Sequence, residues 1–398
     1  MTGSNGRLVD RHQLVRQAQR AATLRTIVES GPISRAHVAA ELGLAKPTVS
    51  MLVADLERER LVRAVGRSSG SVGRSATLFR FDPRAGFVIG ADLGGTKLRV
   101  ALADLAGRIV AEDVVPTDER GGRSVADQIA DTARSMATTA RISWKRVRQV
   151  VVGAPGIIGQ DGRHELAPNI SGFDGIDLVH ELTIRTERPG QVTNDVNLAA
   201  VGERWMGAAM GCDDFVILAI GTGVGAGIVS GGVLLTGSRG AAGEVAYLPI
   251  GGDPSRPAAR RRGALELAAS GSTLARGGRS AEELFAAAER GDHRAAAKVA
   301  SEAELLAHAI VALASVVDPS LVVLAGGVGS NPALVAPVSA ALDRISPWPI
   351  RIATTALGDR AGLLGAVSMG CDAAMADLYQ GAPVAGASPR RASTRSHT

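Results

Sequence analysis

Two apolar runs in this chain each end in a glycine turn, and that pairing restricts the fold more than any other feature. Phe87-Val88-Ile89-Gly90-Ala91 leads into Asp92-Leu93-Gly94-Gly95-Thr96-Lys97, with a further apolar run from Leu98 to Leu102. Phe215 to Ile220 leads into Gly221-Thr222-Gly223-Val224-Gly225-Ala226-Gly227. Short apolar runs bounded by glycine read as buried strands. Glycine removes the Cβ where backbone must approach a ligand, Thr96 and Lys97 can donate to phosphate oxygens, and Asp92 can face a metal ion or its water. A plain hairpin with a two-glycine turn accounts for the first stretch equally well. Two such halves facing one another would hold a nucleotide from both sides of a cleft.

The remainder of this region alternates strands with helices, which predicts a mixed α/β architecture. Leu98 to Leu105 and Arg108 to Val114 form a meander around Ala106-Gly107, and Val125 to Arg141 is a helix. Val147 to Gly153 is a buried strand running into Ala154-Pro155-Gly156, and Val192-Thr193 a short strand running into Asn194-Asp195-Val196-Asn197. Leu321 to Ala325 enters Gly326-Gly327-Val328-Gly329, a turn suited to lie against an adenosine. There is no short-period repeat of the solenoid kind.

The N-terminal part is of a different character. Residues 1–82 carry 13 Lys and Arg against 7 Asp and Glu, a surplus of six, whereas the rest of the chain is one charge negative. Basic charge confined to one segment points to a polyanionic partner there. Beneath it, Leu24, Ile27 and Val28 mark a helix face ending near Ser30-Gly31-Pro32. Ser34 stands where an N-cap belongs, before a helix from Arg35 to Leu42. Gly43-Leu44 makes a short turn, and the next helix starts near Lys46 with Pro47 in its first turn. Val49, Leu52, Val53 and Leu56 fall at i, i+3, i+4, i+7 and face inward, leaving Lys46, Thr48, Ser50 and Met51 outside near the helix start. That is the helix-turn-helix pattern, whose second helix enters a major groove. Ala45 is a poor cap. Leu61 to Val65 and Ala76 to Phe81 read as strands about a Gly/Ser-rich loop flanked by Arg67 and Arg74, the wing of a winged helix. Arg35, Lys46, Thr48, Ser50, Met51, Arg67 and Arg74 are the expected DNA contacts.

A chain of 398 residues, 45% apolar and 21% charged, supports two or three domains with ample core. Boundaries are expected at 1–82, 83–379 and a disordered, Ser- and Arg-rich tail at 380–398. The apolar runs Phe215 to Val229 and Ala309 to Gly329 are interrupted by glycines or by Asp318-Pro319, so a cytoplasmic protein without a membrane span is expected. Cys212 and Cys371 cannot by themselves make a disulfide framework or a zinc cage, and read as small buried residues.

From about residue 20 to 375 the sequence resembles the ROK family (repressors, open reading frames, sugar kinases) in its longer form with an N-terminal winged helix. Gly31-Pro32-Ile33-Ser34-Arg35-Ala36, Gly43-Leu44 and Thr48-Val49-Ser50 resemble its DNA-binding stretch. Asp92 to Lys97, Val152-Gly153-Ala154-Pro155-Gly156, Pro168-Asn169-Ile170, Asn194-Asp195 and the glycine-dense run Gly221 to Gly243 resemble its kinase motifs. The resemblance implies an actin-like, two-lobed ATPase fold, sugar kinase-like, preceded by an α+β winged helix-turn-helix domain, and a homodimer or homotetramer. It implies Asp195 as catalytic base, and Asn169, Asn194, Asp195, Glu244, Tyr247 and Glu266 around a sugar. It further implies Asp92, Gly94, Gly95, Thr96, Lys97, Gly221, Thr222, Gly223, Gly326 and Gly327 around ATP and Mg2+.

One departure matters. The family's Gly-Glu-x-Gly-His and Cys-x-Cys-Gly-x-x-Gly-Cys-x-Glu motifs supply a structural zinc site. Here the His position is Tyr247, and the cysteine positions are Pro257, Ala259 and Ala264. None offers a Cys or His donor, so no zinc is expected. Arg260-Arg261-Arg262 fills the gap, as a solvated loop or an anion contact. Both glutamates, Asp195 and the Asp92 turn remain. The expected function is a sugar-responsive DNA-binding transcriptional regulator, a repressor of carbohydrate-metabolism genes, with operator DNA and a sugar or sugar phosphate as partners. The alternative is an ATP-dependent sugar kinase with a DNA-binding appendage.

Overall fold

The computed structural model describes residues 11–68, 75–159, 164–165, 172–173, 175–274 and 279–380. Contacts divide the chain into two compact units, one reaching to Gly86 and taking in the helix end from Asp372, the other running from Phe87 to Cys371. Residues 381–398, expected to be disordered, lie outside the described residues.

In the first unit, helices α1 (Arg11–Ser30), α2 (Arg35–Leu42) and α3 (Lys46–Arg58) pack together, and β1 (Ile33–Ser34), β2 (Val62–Arg67) and β3 (Thr77–Phe81) form an antiparallel sheet in the order β1-β3-β2. Leu24, Ile27, Val38, Val49, Leu52, Val53 and Leu56 are buried at its centre, as the spacing of apolar residues predicts. Ser34 caps α2 by accepting from the His37 amide at 3.2 Å, and Gly43 closes it in the left-handed conformation at φ 63°. Ala45 is extended and gives α3 no side-chain cap. Within the same unit Arg20 donates to the Leu378 carbonyl at 2.9 Å, and the Arg25 guanidinium lies 4.9 Å from the centre of the Tyr379 ring.

The second unit starts with β4 (Phe87–Leu93), β5 (Lys97–Asp104), β6 (Ile109–Pro116), α4 (Gly122–Thr139) and β7 (Val147–Ala154). A small hairpin of β8 (Ile157–Ile158) and β9 (His164–Glu165) follows, then α5 (Leu178–Thr186), β10 (Gly190–Asn194) and α6 (Asp195–Met206). The second half holds β11 (Phe215–Ile220), β12 (Val224–Ser230), β13 (Val233–Leu234), α7 (Pro257–Arg262), α8 (Ala264–Ala269), α9 (Gly271–Leu274), α10 (Ala281–Glu289) and α11 (His293–Val317). It closes with β14 (Leu321–Ala325), α12 (Gly326–Gly329), α13 (Val335–Ile345), β15 (Ile352–Thr354) and α14 (Ala361–Gln380), whose end from Asp372 belongs to the first unit.

The two sheets repeat one plan. The first has the order β10-β7-β4-β5-β6 and the second β15-β14-β11-β12-β13; each is an antiparallel meander flanked by two parallel strands. Helix α6 packs on β7 of the first sheet and on β11 and β12 of the second, so it lies between them. Leu198 joins Val151 and Ala366 in one buried cluster, and Ala200 joins Phe215, Ile217 and Val229 in another. The larger core of the second half forms where α10, α11 and α13 cover the opposite face of β11 and β14.

Two details differ from the expectation. The run from Gly221 to Gly227 is not one loop: residues 221–223 are a hairpin turn, and Val224 onward is strand β12, pairing Ile220 with Val224. Two helical stretches, His293–Val317 and Gly358–Gln380, are long and apolar enough to cross a membrane, but 50% and 61% of their apolar windows are buried inside the protein. They are core helices, whose apolar length serves packing.

Candidate functional site

The parallel strands β7 and β10 deliver their C-terminal ends side by side, with Asn194 opposite Ala154, and α6 begins at once. Asn194 caps it, its Oδ1 accepting from the amides of Val196 at 2.9 Å and Asn197 at 3.1 Å, while its Nδ2 donates to the Gly156 carbonyl at 3.1 Å. That is the ordinary use of an Asn at a helix start. Its amide group ties the α6 start to the Pro155-Gly156 turn, and Asp195 is thereby held in the wall of a cleft.

This cleft has a volume of about 310 Å³ and is bounded by Gly94, Gly95, Pro155, Gly156, Asn194, Asp195 and Val196 on one side. On the other stand Ala219, the turn and strand from Gly221 to Gly225, Glu244, Ala246, Tyr247, Arg261, Arg262, Glu266 and Gly326. Of the expected nucleotide residues, Gly94, Gly95, Gly221, Thr222, Gly223 and Gly326 are brought together. Asp92, Thr96, Lys97 and Gly327 are not part of its wall. Thr96 and Lys97 are exposed, because the turn closes with the Gly94 amide donating to the Lys97 carbonyl at 2.9 Å and β5 begins there. Asn169 lies outside the described residues.

Asp92 sits behind the wall rather than in it. A Cβ added to Gly153 would stand 3.6 Å from Asp92 Oδ1 and 3.5 Å from Asp195 Cα, and one on Gly362 would meet the Asp92 carboxyl at 3.1 Å. Burial, together with the charge of Asp195, pushes the Asp92 carboxyl up to about 7, against a smaller opposing pull from Arg99. Asp195 is also raised by burial, although the Val196 amide bonds its Oδ1 at 2.8 Å and works against the rise. Burial first, then Asp195 and Glu266, raise Glu244. A carboxyl raised in this way is a better proton acceptor when ionised, which suits Asp195 to deprotonating a hydroxyl.

Backbone that no side chain could occupy fixes the second wall. Gly243 has φ 91°, and a Cβ there would fall 1.9 Å from the Ala226 carbonyl oxygen; Gly263 has φ 89°, and its Cβ would fall 2.1 Å from the Ala246 carbonyl oxygen. The Glu244–Tyr247 turn is thus clamped between β12 and the α7–α8 junction. Tyr247 Oη donates to the Arg261 carbonyl at 3.1 Å, across the segment where the expected zinc motif falls. Glu266 Oε1 accepts from Arg262 Nε at 3.0 Å, and its Oε2 from the Val224 amide at 3.3 Å.

The arginine triplet is helical, being the second half of α7, and not a solvated loop; Arg261 and Arg262 belong to the cleft wall. Arg262 and Glu266 are four residues apart but lie on two helices separated by Gly263 at φ 89°, so their pairing is not that of a single helix. The backbone donors of the two glycine turns and the Thr222 hydroxyl fit a phosphate chain chemically. Tyr247, Pro257, Ala259 and Ala264 do not fit zinc, and among the described residues no group of three or more His, Cys, Asp or Glu side chains is placed to hold a metal.

In the N-terminal unit, Lys46 and Met51 are exposed on α3, while Thr48 and Ser50 are half-buried. Arg67 is exposed and donates to the Ser75 carbonyl at 3.2 Å. Arg35 is half-exposed: its guanidinium lies 4.7 Å from the centre of the Phe79 ring and 3.8 Å from Glu57. Arg74 lies outside the described residues.

Residues 88–372 match the ROK family and residues 16–75 the MarR family. The chain belongs to the ROK family. As a ROK protein it is 34% identical to a glucokinase of Halalkalibacterium halodurans over 310 residues, covering 70% of this chain and 92% of that one. It is 29% identical to the xylose repressor of Bacillus subtilis over 260 residues, covering 65% of this chain and 67% of that one. The crystal structure of a ROK family transcriptional regulator described as a homologue of the E. coli MLC protein superposes with a TM-score of 0.75 at 21% identity, covering 94% of this chain and all of that one. That likeness bears on the fold, which is an actin-like ROK domain with a winged helix-turn-helix unit before it.

Proposed function

We propose that this ROK protein is a sugar-responsive DNA-binding transcriptional regulator, a repressor of carbohydrate-metabolism genes. The observation that carries the reading is the joining, in one chain, of a winged helix with Lys46 and Met51 exposed on its α3 to a cleft lined by Asp195, Glu244 and Glu266. Carboxylates and backbone amides fixed around a small cavity suit the many hydroxyls of a sugar. The partners are operator DNA and a sugar or sugar phosphate, and the chain acts in the cytoplasm as a homodimer or homotetramer. A ligand that favours one state of the protein changes operator affinity by its differential affinity for the two states.

A second reading, an ATP-dependent sugar kinase carrying a DNA-binding unit, is favoured by one specific observation: Asp195 sits in the cleft wall at the start of α6, with burial raising its carboxyl. The glycine turns would then hold ATP with Mg2+, and Asp195 would take the proton of the attacking hydroxyl. Sugar-dependent ADP release from the wild type and from Asp195→Asn separates the two. Equal background release from both proteins across a broad sugar panel, with salt-dependent and sequence-selective binding to the DNA upstream of the gene, supports the regulator. Turnover that Asp195→Asn abolishes supports the kinase.

A further inference from the structure

We infer that the cleft is built for a sugar bearing an anionic group, a phosphate or a carboxylate, which Arg261 recognises. The inference rests on the sugar-effector reading and names the chemistry of the effector.

Arg261 and Arg262 lie in the same wall as Glu244, Tyr247 and Glu266. They differ in what meets their charge. Arg262 is held by Glu266 at 3.0 Å, whereas among the described residues no carboxylate is paired with Arg261. Arg261 is not a side chain on a loose loop, either. Its own carbonyl accepts from Tyr247 Oη, Ala259 two residues earlier is 5% exposed, and Gly263 two residues later is pressed onto the Ala246 carbonyl. Helix α7 is therefore seated against the cleft on both sides of Arg261, and the residue's backbone is fixed beside the space a ligand would fill.

A guanidinium carried at a ligand cavity without a protein anion gains little from a neutral hydroxyl that water would not supply. It gains a charge-assisted, often bidentate, pair of hydrogen bonds from a phosphate or carboxylate. The carboxyls of the cleft reduce that gain by repulsion. The reduction is lessened because burial raises both Asp195 and Glu244 from their ordinary values. Arg260 belongs to the same helix but is absent from the wall, so it provides an internal control for charge alone.

The test is calorimetric titration of the full chain with glucose, mannose and N-acetylglucosamine, with the 6-phosphate of each, and with glucuronate, at low and high salt. Wild type, Arg261→Gln, Arg261→Lys and Arg260→Gln are compared, with melting curves checking that each is folded. The expected result is that at least one anionic sugar binds about tenfold or more tightly than its neutral parent. Arg261→Gln removes that advantage, Arg261→Lys keeps part of it, and Arg260→Gln keeps all of it. The phosphate and uronate arms tell which anion is recognised. Neutral sugars binding as tightly as every anionic one, or an advantage that survives in folded Arg261→Gln, would overturn the inference while leaving the regulator reading in place. Failure of every sugar to bind, neutral and anionic alike, overturns the sugar-effector reading and this inference with it.

Discussion

Arg262 on α7 donates to Glu266 on α8 at 3.0 Å, and the other oxygen of the same carboxylate takes the Val224 amide at the start of β12. One side chain thus joins the short helices of the cleft wall to the strand that follows the glycine turn. The ion pair is half-exposed at its arginine end, with Arg262 46% accessible, so its worth to stability is small. Its worth to the ligand is positional. Glu266→Gln is expected to weaken sugar binding by about tenfold, or ~1.4 kcal/mol, while shifting the melting temperature little. Calorimetric titration beside a thermal melt separates the two effects.

Tyr247 carries the other tie in this wall. Removing its hydroxyl deletes the bond to the Arg261 carbonyl, which costs about 1 kcal/mol for a partly exposed neutral bond. Tyr247→Phe is expected to lower stability by that amount in denaturant unfolding. Tyr247→His with added zinc is expected to restore nothing, because Pro257, Ala259 and Ala264 offer no further ligand.

Helix α3 starts without a side-chain cap, and its N-cap residue Ala45 is exposed with extended φ −64° and ψ 137°. Those angles suit serine, whose hydroxyl would reach an unbonded amide of the first turn. Ala45→Ser is expected to stabilise the N-terminal unit by about 1 kcal/mol. Chemical denaturation followed by circular dichroism measures it.

Glu302 on α11 is 3% exposed, and its Oε1 has no hydrogen-bond partner. Burial pushes this carboxyl up to about 8. Its folded value lies above its unfolded one, so the folded state retains a proton that the unfolded state has released. The resulting stability is present in full below the unfolded value and is lost as pH rises toward 8. Glu302→Gln cannot ionise, and is expected to gain on the wild type across that window, by an amount on the order of a few kcal/mol. Unfolding curves of both proteins from pH 5 to about 8.5 give the difference; a gap that does not widen with pH contradicts the assignment.

Much of this was legible in the residues themselves. Val49, Leu52, Val53 and Leu56 announced the buried face of α3 by spacing alone, and Ser34 announced the cap of α2, because both are local properties of a helix. The strands leading into the turns at Gly94 and Gly221 were readable for the same reason. The glycine run after Gly221 was harder, since Val224 to Gly227 has too few side chains to show strand alternation and is held as β12 by pairing with β11. Asp92, Thr96 and Lys97 looked like one phosphate loop in sequence. Their different fates follow from register: Asp92 ends paired with Arg99 and Gly153 inside the sheet, whereas Thr96 and Lys97 point into solvent. The place of Arg261 in the wall was hidden because α7 is held there by the Tyr247 hydroxyl on the Arg261 carbonyl and by Gly263 against Ala246, partners distant in sequence.

The most direct test of the central claim is the affinity of the full chain for the DNA upstream of its own gene, measured by fluorescence anisotropy with and without a saturating sugar or sugar phosphate. The account predicts sequence-selective binding that falls with salt and that the bound sugar shifts by about tenfold or more, with Lys46→Ala weakening it. Equal binding to unrelated DNA, or an operator affinity left unchanged by every sugar shown to bind, would contradict it.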